Sequence, residues 1–158
     1  MRHSVNQSGF TLIELMIVIA IIGIIAGMAY PSMQKQIATM RLKNAVNMTE
    51  SMLKQARVEA LTTRQNITVR IGGNPAALMV TRQPNMQFDS NIIVTQQNRG
   101  SIVITAQKEA KSSNSTATRV APIPEYSFCY KNTASDKYTV KIDRMTNVKV
   151  ETIPGGCS

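Results

Sequence analysis

Glu14 is the side chain least in keeping with its neighbours, a carboxylate in a run that carries no other charge from Phe10 to Gln34. A charge inside an apolar helix at membrane depth is costly and needs a partner. Two readings supply one. If the chain is cut between Gly9 and Phe10, the new amino group is a cation one helical turn away, most useful to the Glu14 of a neighbouring subunit. Alternatively the carboxylate reaches the headgroup region, since it stands near the end of the apolar run. Catalytic chemistry has little to work with. The only histidine, His3, precedes that cut, so neither a Ser-His-Asp nor a Cys-His pair can form in the cleaved chain. There is no glycine-rich phosphate loop and no metal-spaced cluster, and Gly72-Gly73 and Gly155-Gly156 read as turn residues. Cys129 and Cys157 cannot alone supply the ligand set of a structural zinc site. The expectation is a chain with no enzymatic activity, no cofactor and no metal.

Positive charge is the other chemical resource. The chain carries 18 Lys and Arg against 9 Asp and Glu, a net charge of +9 that favours polyanions or anionic lipid at long range without choosing between them. Lys131, Lys137, Lys141, Arg144 and Lys149 concentrate that charge towards the C-terminus. Lys137, Lys141, Arg144 and Lys149 are the candidate phosphate contacts if DNA is bound. On strands, Lys137, Lys141 and Lys149 serve equally well as solvent-facing edge protection.

The elements that must position these residues begin with a membrane segment. Residues 15–34 are uncharged and, as a helix, span about 30 Å, the hydrocarbon thickness of a bilayer. Arg2, in the short polar leader, keeps the N-terminus cytoplasmic and sends the remainder across. The competing reading is an ordinary secretory signal peptide, with Ala26-Gly27-Met28-Ala29 mimicking its small-residue cleavage site. Beyond residue 34 the apolar character narrows to one face, with Leu42, Ala45, Val46, Thr49, Met52, Leu53, Ala56 and Ala60 at spacings of three and four. Lys43, Glu50, Lys54, Arg57 and Glu59 fall mostly on the other side, and Glu50 with Lys54 makes a favourable pair one turn apart. One long, gently bent helix of about 80 Å is expected over residues 10–64, weakened at Gly23 and Pro31.

The rest reads as β structure. Asn66–Ile71 alternates polar and apolar residues, and the Gly72-Gly73-Asn74-Pro75 turn leads into Ala77–Thr81, which predicts a hairpin. Further strands are expected at Asn91–Val94, Ser101–Ala106, Tyr126–Tyr130, Tyr138–Ile142 and Val148–Thr152, with Lys108–Thr118 a mobile surface loop. Aromatic residues make up only 4% of the chain against 10 methionines, so an aliphatic core with Met filling gaps is expected. The predicted organisation is a leader at 1–9, a transmembrane helix at 10–34, an amphipathic helix at 35–64 and a β-rich head at 65–158.

Gly9-Phe10-Thr11-Leu12-Ile13-Glu14-Leu15 followed by an apolar helix resembles the class III signal of type IV prepilins and of type II secretion pseudopilins. The resemblance implies that a membrane aspartyl peptidase, a separate protein, cleaves between Gly9 and Phe10 and methylates the amino group of Phe10. It further implies that Glu14 assists docking by neutralising the N-terminus of an adjacent subunit. Gly23 and Pro31 stand where many pilins carry a glycine and a proline. A second segment, Met52-Leu53-Lys54-Gln55-Ala56-Arg57-Val58-Glu59-Ala60, then Arg64 and an alternating strand, resembles the GspH/FimT group of minor pilins and pseudopilins over residues 35–71.

The fold so implied is α+β and type IV pilin-like, a long N-terminal helix packed on an antiparallel β-sheet head. The function implied is that of a minor pilin, a structural subunit for pilus assembly or initiation in twitching motility, adhesion or DNA uptake. Alternatives are a GspH-like pseudopilin of a type II secretion system and a DNA-binding FimT-type pilin. An enzyme anchored by its N-terminal helix is opposed by the missing catalytic constellation. Implied partners are other pilins in a filament, the prepilin peptidase, the inner-membrane assembly machinery and the membrane. The implied location is the inner membrane, single-pass with a periplasmic head, and then the cell-surface pilus. Members that bind DNA are associated with a Gly-Arg-x-Arg tail, whereas this chain ends Ile153-Pro154-Gly155-Gly156-Cys157-Ser158, which favours a FimU-like structural role. A periplasmic head makes a Cys129–Cys157 bridge the default, stabilising by about 3–4 kcal/mol through loop closure.

Overall fold

The computed structural model describes residues 10–73, 75–116, 118–131 and 135–157, apart from the side chains of residues 28–31. The expectations placed on Arg2, His3, Gly9 and Asn74, and on the ring of Pro31, lie outside the described residues. The chain divides into two compact units, residues 1–36 and 37–158. A single helix, α1 (Leu12–Thr63), begins in the first and ends in the second.

In the first unit the helix starts where it does because Thr11 caps it. The Thr11 hydroxyl accepts from the amide of Glu14 at 3.3 Å, and its carbonyl takes the first helical bond, from the amide of Leu15 at 3.2 Å. Leu, Ile, Val and Met side chains from Leu12 to Ile25 are exposed all round the helix, leaving no polar face. No single helix among the described residues is long and apolar enough to cross a membrane. The consecutive segments Leu12–Gly27 and Ser32–Thr63 qualify together by length and composition.

In the second unit the predicted stripe is the buried one. Leu42, Ala45, Val46, Thr49, Met52, Leu53, Ala56 and Ala60 are all buried, and the Thr49 hydroxyl is satisfied by the Ala45 carbonyl at 2.8 Å. Fully burying a side chain such as Leu42 or Leu53 contributes about 2 kcal/mol. The strands are β1 (Ile67–Gly72), β2 (Ala77–Val80), β3 (Met86–Gln87), β4 (Ile92–Gln97), β5 (Ile102–Ile104), β6 (Ala110–Ser112), β7 (Glu125–Tyr130), β8 (Ser135–Ile142) and β9 (Val148–Cys157). They form a five-stranded sheet in the order β3-β2-β1-β5-β6 and a four-stranded sheet in the order β4-β7-β8-β9, with every pairing antiparallel. The expected hairpin is β1–β2, with Val69 opposite Val80 and Gly73 in the left-handed region at φ 102°.

Alternation builds the core. Ile67, Val69 and Ile71 of β1, Leu78 and Val80 of β2, and Ile102 and Ile104 of β5 meet the buried face of α1, together with Tyr126, Phe128, Val140 and Ile142 of the second sheet. Aromatic residues are few, but two of them meet in that core, Phe88 edge-on to Phe128 with ring centroids 5.7 Å apart.

Two expectations need correction. Lys108–Thr118 is not wholly a surface loop, because Ala110–Ser112 forms β6 against β5 with Ala110 and Ser112 buried. Its inward side chains are small and its composition polar, so the period of two carries no hydrophobic signal. Gly155-Gly156 is not a turn either. β9 runs on to Cys157, and the glycines allow an irregular register: Gly155 has φ 61°, and a Cβ on Gly156 would stand 3.0 Å from that of Lys137.

Candidate functional site

The processing and assembly residues of the sequence reading meet the structure at the start of α1. Phe10 is 82% exposed and stands just before the capping residue. Thr11 donates a long hydrogen bond of 3.5 Å to a Glu14 carboxylate oxygen. Thr11 and Glu14 thus occupy the first and last places of an S/T-x-x-E capping arrangement, and the negative charge lies in the first turn, where the helix dipole favours it. Sequence reasoning missed this role, although Thr followed three residues later by Glu before an apolar run is its signal. No cation partners Glu14 among the described residues. Gly23 has nothing within 4 Å of where a Cβ would stand, so packing within the chain does not require a glycine there. The backbone of Pro31 lies within α1.

The basic candidates are brought to one region but are not equivalent. Lys137 and Lys141 lie half-buried on β8, Lys137 just before the inward Tyr138 and Lys141 between Val140 and Ile142, and Lys141 stands opposite Lys149 of β9. Lys141 is ion-paired twice, at 2.8 Å to Glu151 and 3.6 Å to Glu125. Its hydrogen bond to Glu151 raises the ammonium pKa, with help from the charges of both carboxylates. Arg144 sits in the β8–β9 turn, where its carbonyl accepts from Ala110 at 2.9 Å and ties the turn to β6. Beside it, the Asp143 carboxylate accepts from the side chain and backbone of Asn147, which holds its pKa below the usual range. The cluster is therefore mixed in sign.

Cys129 and Cys157 are disulfide-bonded, with Cα atoms 5.5 Å apart. Since β8 lies between β7 and β9, the end of β9 must pass the end of β8 to reach Cys129, which the shifted register between Ser135 and Lys137 permits.

A further clamp has no local signal. Arg41 of α1 and Asp89, 48 residues apart, are joined at 2.8 Å. The Asp89 carboxylate also accepts from the amide and side chain of Asn91 at 2.9 and 3.1 Å, and these bonds, with the Arg41 charge, hold its pKa below the ordinary value. Among the described residues no group of three or more His, Cys, Asp or Glu could hold a metal ion. The described arrangement is one of ion pairs, hydrogen bonds and a disulfide within the chain.

Residues 5–30 match the family model of the prokaryotic N-terminal methylation motif. The chain is 32% identical over 155 residues to the type IV major fimbrial protein FimA of Dichelobacter nodosus, covering 96% of this chain and 94% of that protein. It is 57% identical over 42 residues to the fimbrial protein EcpC of Eikenella corrodens, a stretch covering 27% of this chain and 28% of that one. Its fold is similar to the crystal structure of the type IV minor pilin FimU of Pseudomonas aeruginosa. The TM-score is 0.50 at 14% identity, over 72% of this chain and 89% of the other.

Proposed function

This chain belongs to the type IV pilin family, and we propose that within it the chain serves as a minor pilin, present in few copies and acting in pilus assembly or initiation. As a pilin it is a structural, non-enzymatic subunit that assembles with other pilins, membrane-anchored before it enters a surface pilus. The observation that carries an assembly role is the start of α1. An apolar helix exposed on every side follows a carboxylate with no cation in its own chain among the described residues. Such a helix needs other helices around it and such a carboxylate needs a partner's amino group, which cleavage between Gly9 and Phe10 by a prepilin peptidase, with methylation of Phe10, would supply. On this reading the N-terminus lies in the cytoplasm, the head in the periplasm, and the inner-membrane machinery extracts the subunit into the filament.

The minor role is supported by the GspH/FimT-like pattern over residues 35–71 and by a fold similar to that of FimU. A major role is favoured by one observation, the near full-length similarity to a major fimbrial protein. Quantitative mass spectrometry of sheared pili decides between them. A minor pilin appears at a small fraction of the dominant subunit, with an N-terminal peptide beginning at methylated Phe10. Equal or greater abundance overturns the minor assignment, and retention in the envelope of piliated cells favours a secretion pseudopilin.

A further inference from the structure

We propose that the cleft lined by Arg70, Gln96, Arg99, Gly100 and Ser101 is a binding site for a single oxyanion of the phosphate class, held between two guanidinium groups. Arg70 projects from β1 on the side opposite its buried neighbours Val69 and Ile71, and Arg99 stands on the loop from β4 to β5. Neither guanidinium has an ion pair among the described residues, and no carboxylate lines the cleft. Two like charges sharing a concave surface repel each other, and an anion between them reverses the sign of that interaction.

The loop carrying Arg99 is held in one shape. Gln96 donates through Nε2 to the carbonyls of Asn98 and Gly100 at 2.9 and 2.7 Å, and Asn114 donates through Nδ2 to the carbonyl of Arg99 at 2.8 Å. The carbonyls that would repel an anion are thereby engaged by side-chain amides. Ser101 and Ser113 lock the base of the loop, through the Ser101 amide to the Ser113 hydroxyl at 2.9 Å and the Ser113 amide to the Ser101 carbonyl at 2.8 Å. Gly100 has φ 125°, and a Cβ there would stand 2.9 Å from the Ser112 hydroxyl. Asn98 is also left-handed, at φ 62°. A loop so constrained fixes the backbone from which Arg99 projects, which lowers the ordering cost of binding a small ion.

Next to Gln96 in the strand ladder is an unsatisfied polar group. Tyr126 is the register partner of Gln96, and its buried hydroxyl makes no hydrogen bond with the described residues. Arginine forks pair bidentately with tetrahedral and planar oxyanions, and two of them match the double charge of phosphate better than the single charge of a carboxylate.

The test is nuclear magnetic resonance of the full-length, 15N-labelled chain in maltoside micelles, following the arginine Nε–Hε signals during titration with inorganic phosphate. Sodium chloride at matched ionic strength and sodium acetate are the comparison arms. Saturable shifts of both Arg70 and Arg99 are expected with phosphate only. Arg70→Gln and Arg99→Gln should each weaken binding at least about tenfold, as loss of a bidentate charge-assisted pair does. Gly100→Ala should weaken it with both arginines present, and Arg119→Gln should leave it unchanged. Retained β1 and β2 amide signals report that each variant is folded, and Arg70→Lys, which keeps the charge but not the fork, stands in if Arg70→Gln unfolds. Shifts equal in chloride, acetate as effective as phosphate, or binding that survives loss of either arginine overturns the proposal.

Discussion

Glu14 carries two demands that a single substitution confuses. It stands in the first turn of α1, where its charge complements the helix dipole and its carboxylate accepts from Thr11, and on the proposed reading it also meets the amino group of a neighbouring subunit. Glutamine retains the size and hydrogen-bonding capacity but not the charge. If the charge acts between subunits, Glu14→Gln and Glu14→Ala both leave membrane insertion intact and both lower incorporation into filaments. The decrease should be at least about tenfold, the effect of losing an interaction of about 1.4 kcal/mol. Sheared-pilus and membrane fractions measured side by side check this. Wild-type incorporation of Glu14→Gln with a defect in Glu14→Ala would show that capping alone is required. Lys141 shows the opposite relation between residue and surroundings. In sequence it resembles its basic neighbours, yet register places Glu125 and Glu151 beside it, so it has fewer free electrostatic contacts to offer a polyanion than Lys137, Lys149 or Arg144.

Among the elements, β9 depends most on a constraint outside its own ladder. It is an edge strand, its residues 149–156 are exposed, and Gly155 interrupts its register with β8. Hydrophobic burial contributes little there, so the bridge from Cys157 to Cys129 keeps the last turn of the strand in place. Closing a loop with a sequence separation of 28 stabilises by about 3–4 kcal/mol in the chain-entropy estimate. Cys157→Ser should lower the denaturant midpoint accordingly and speed amide exchange at residues 150–157, while the β1–β2 hairpin keeps its protection. Unchanged exchange in β9 would mean that the ladder with β8 suffices. The helix beyond residue 37 shows how burial and periodicity agree: its buried residues are those a period of 3.6 selects, and the exposed Lys54 finds Glu50 at 2.7 Å one turn back.

At the scale of the whole molecule, the Arg41–Asp89 clamp joins α1 to the segment between β3 and β4 and links folding to pH. The Asp89 carboxyl titrates below its ordinary value of 3.8 in the folded chain, so the unfolded chain takes up the proton first as pH falls. The stabilisation is therefore fully present above the unfolded value and is lost as pH drops through the lower folded value. Asp89→Asn should cost about 1 kcal/mol near neutral pH, as partly exposed ion pairs do, and leave stability unchanged in strong acid, where both proteins are uncharged at this site. Thermal melts of both proteins from pH 7 to pH 2 test it, and parallel curves with a constant gap would assign the effect to packing. The sequence by itself determined the class of protein and most elements, because an apolar run that begins at a Gly-Phe junction, a helical stripe from Leu42 to Ala60 and the alternation at Ile67–Ile71 are local patterns that local physics reads. Tertiary structure alone decided the division into two sheets, the strand hidden in a polar stretch at Ala110–Ser112, the passage of β9 through two glycines, the pairing of Arg41 with Asp89, and which basic residues keep their charge unopposed. Each of these depends on residues far apart in sequence, brought together by strand register and by the closing of a common core, and no window along the chain contains them.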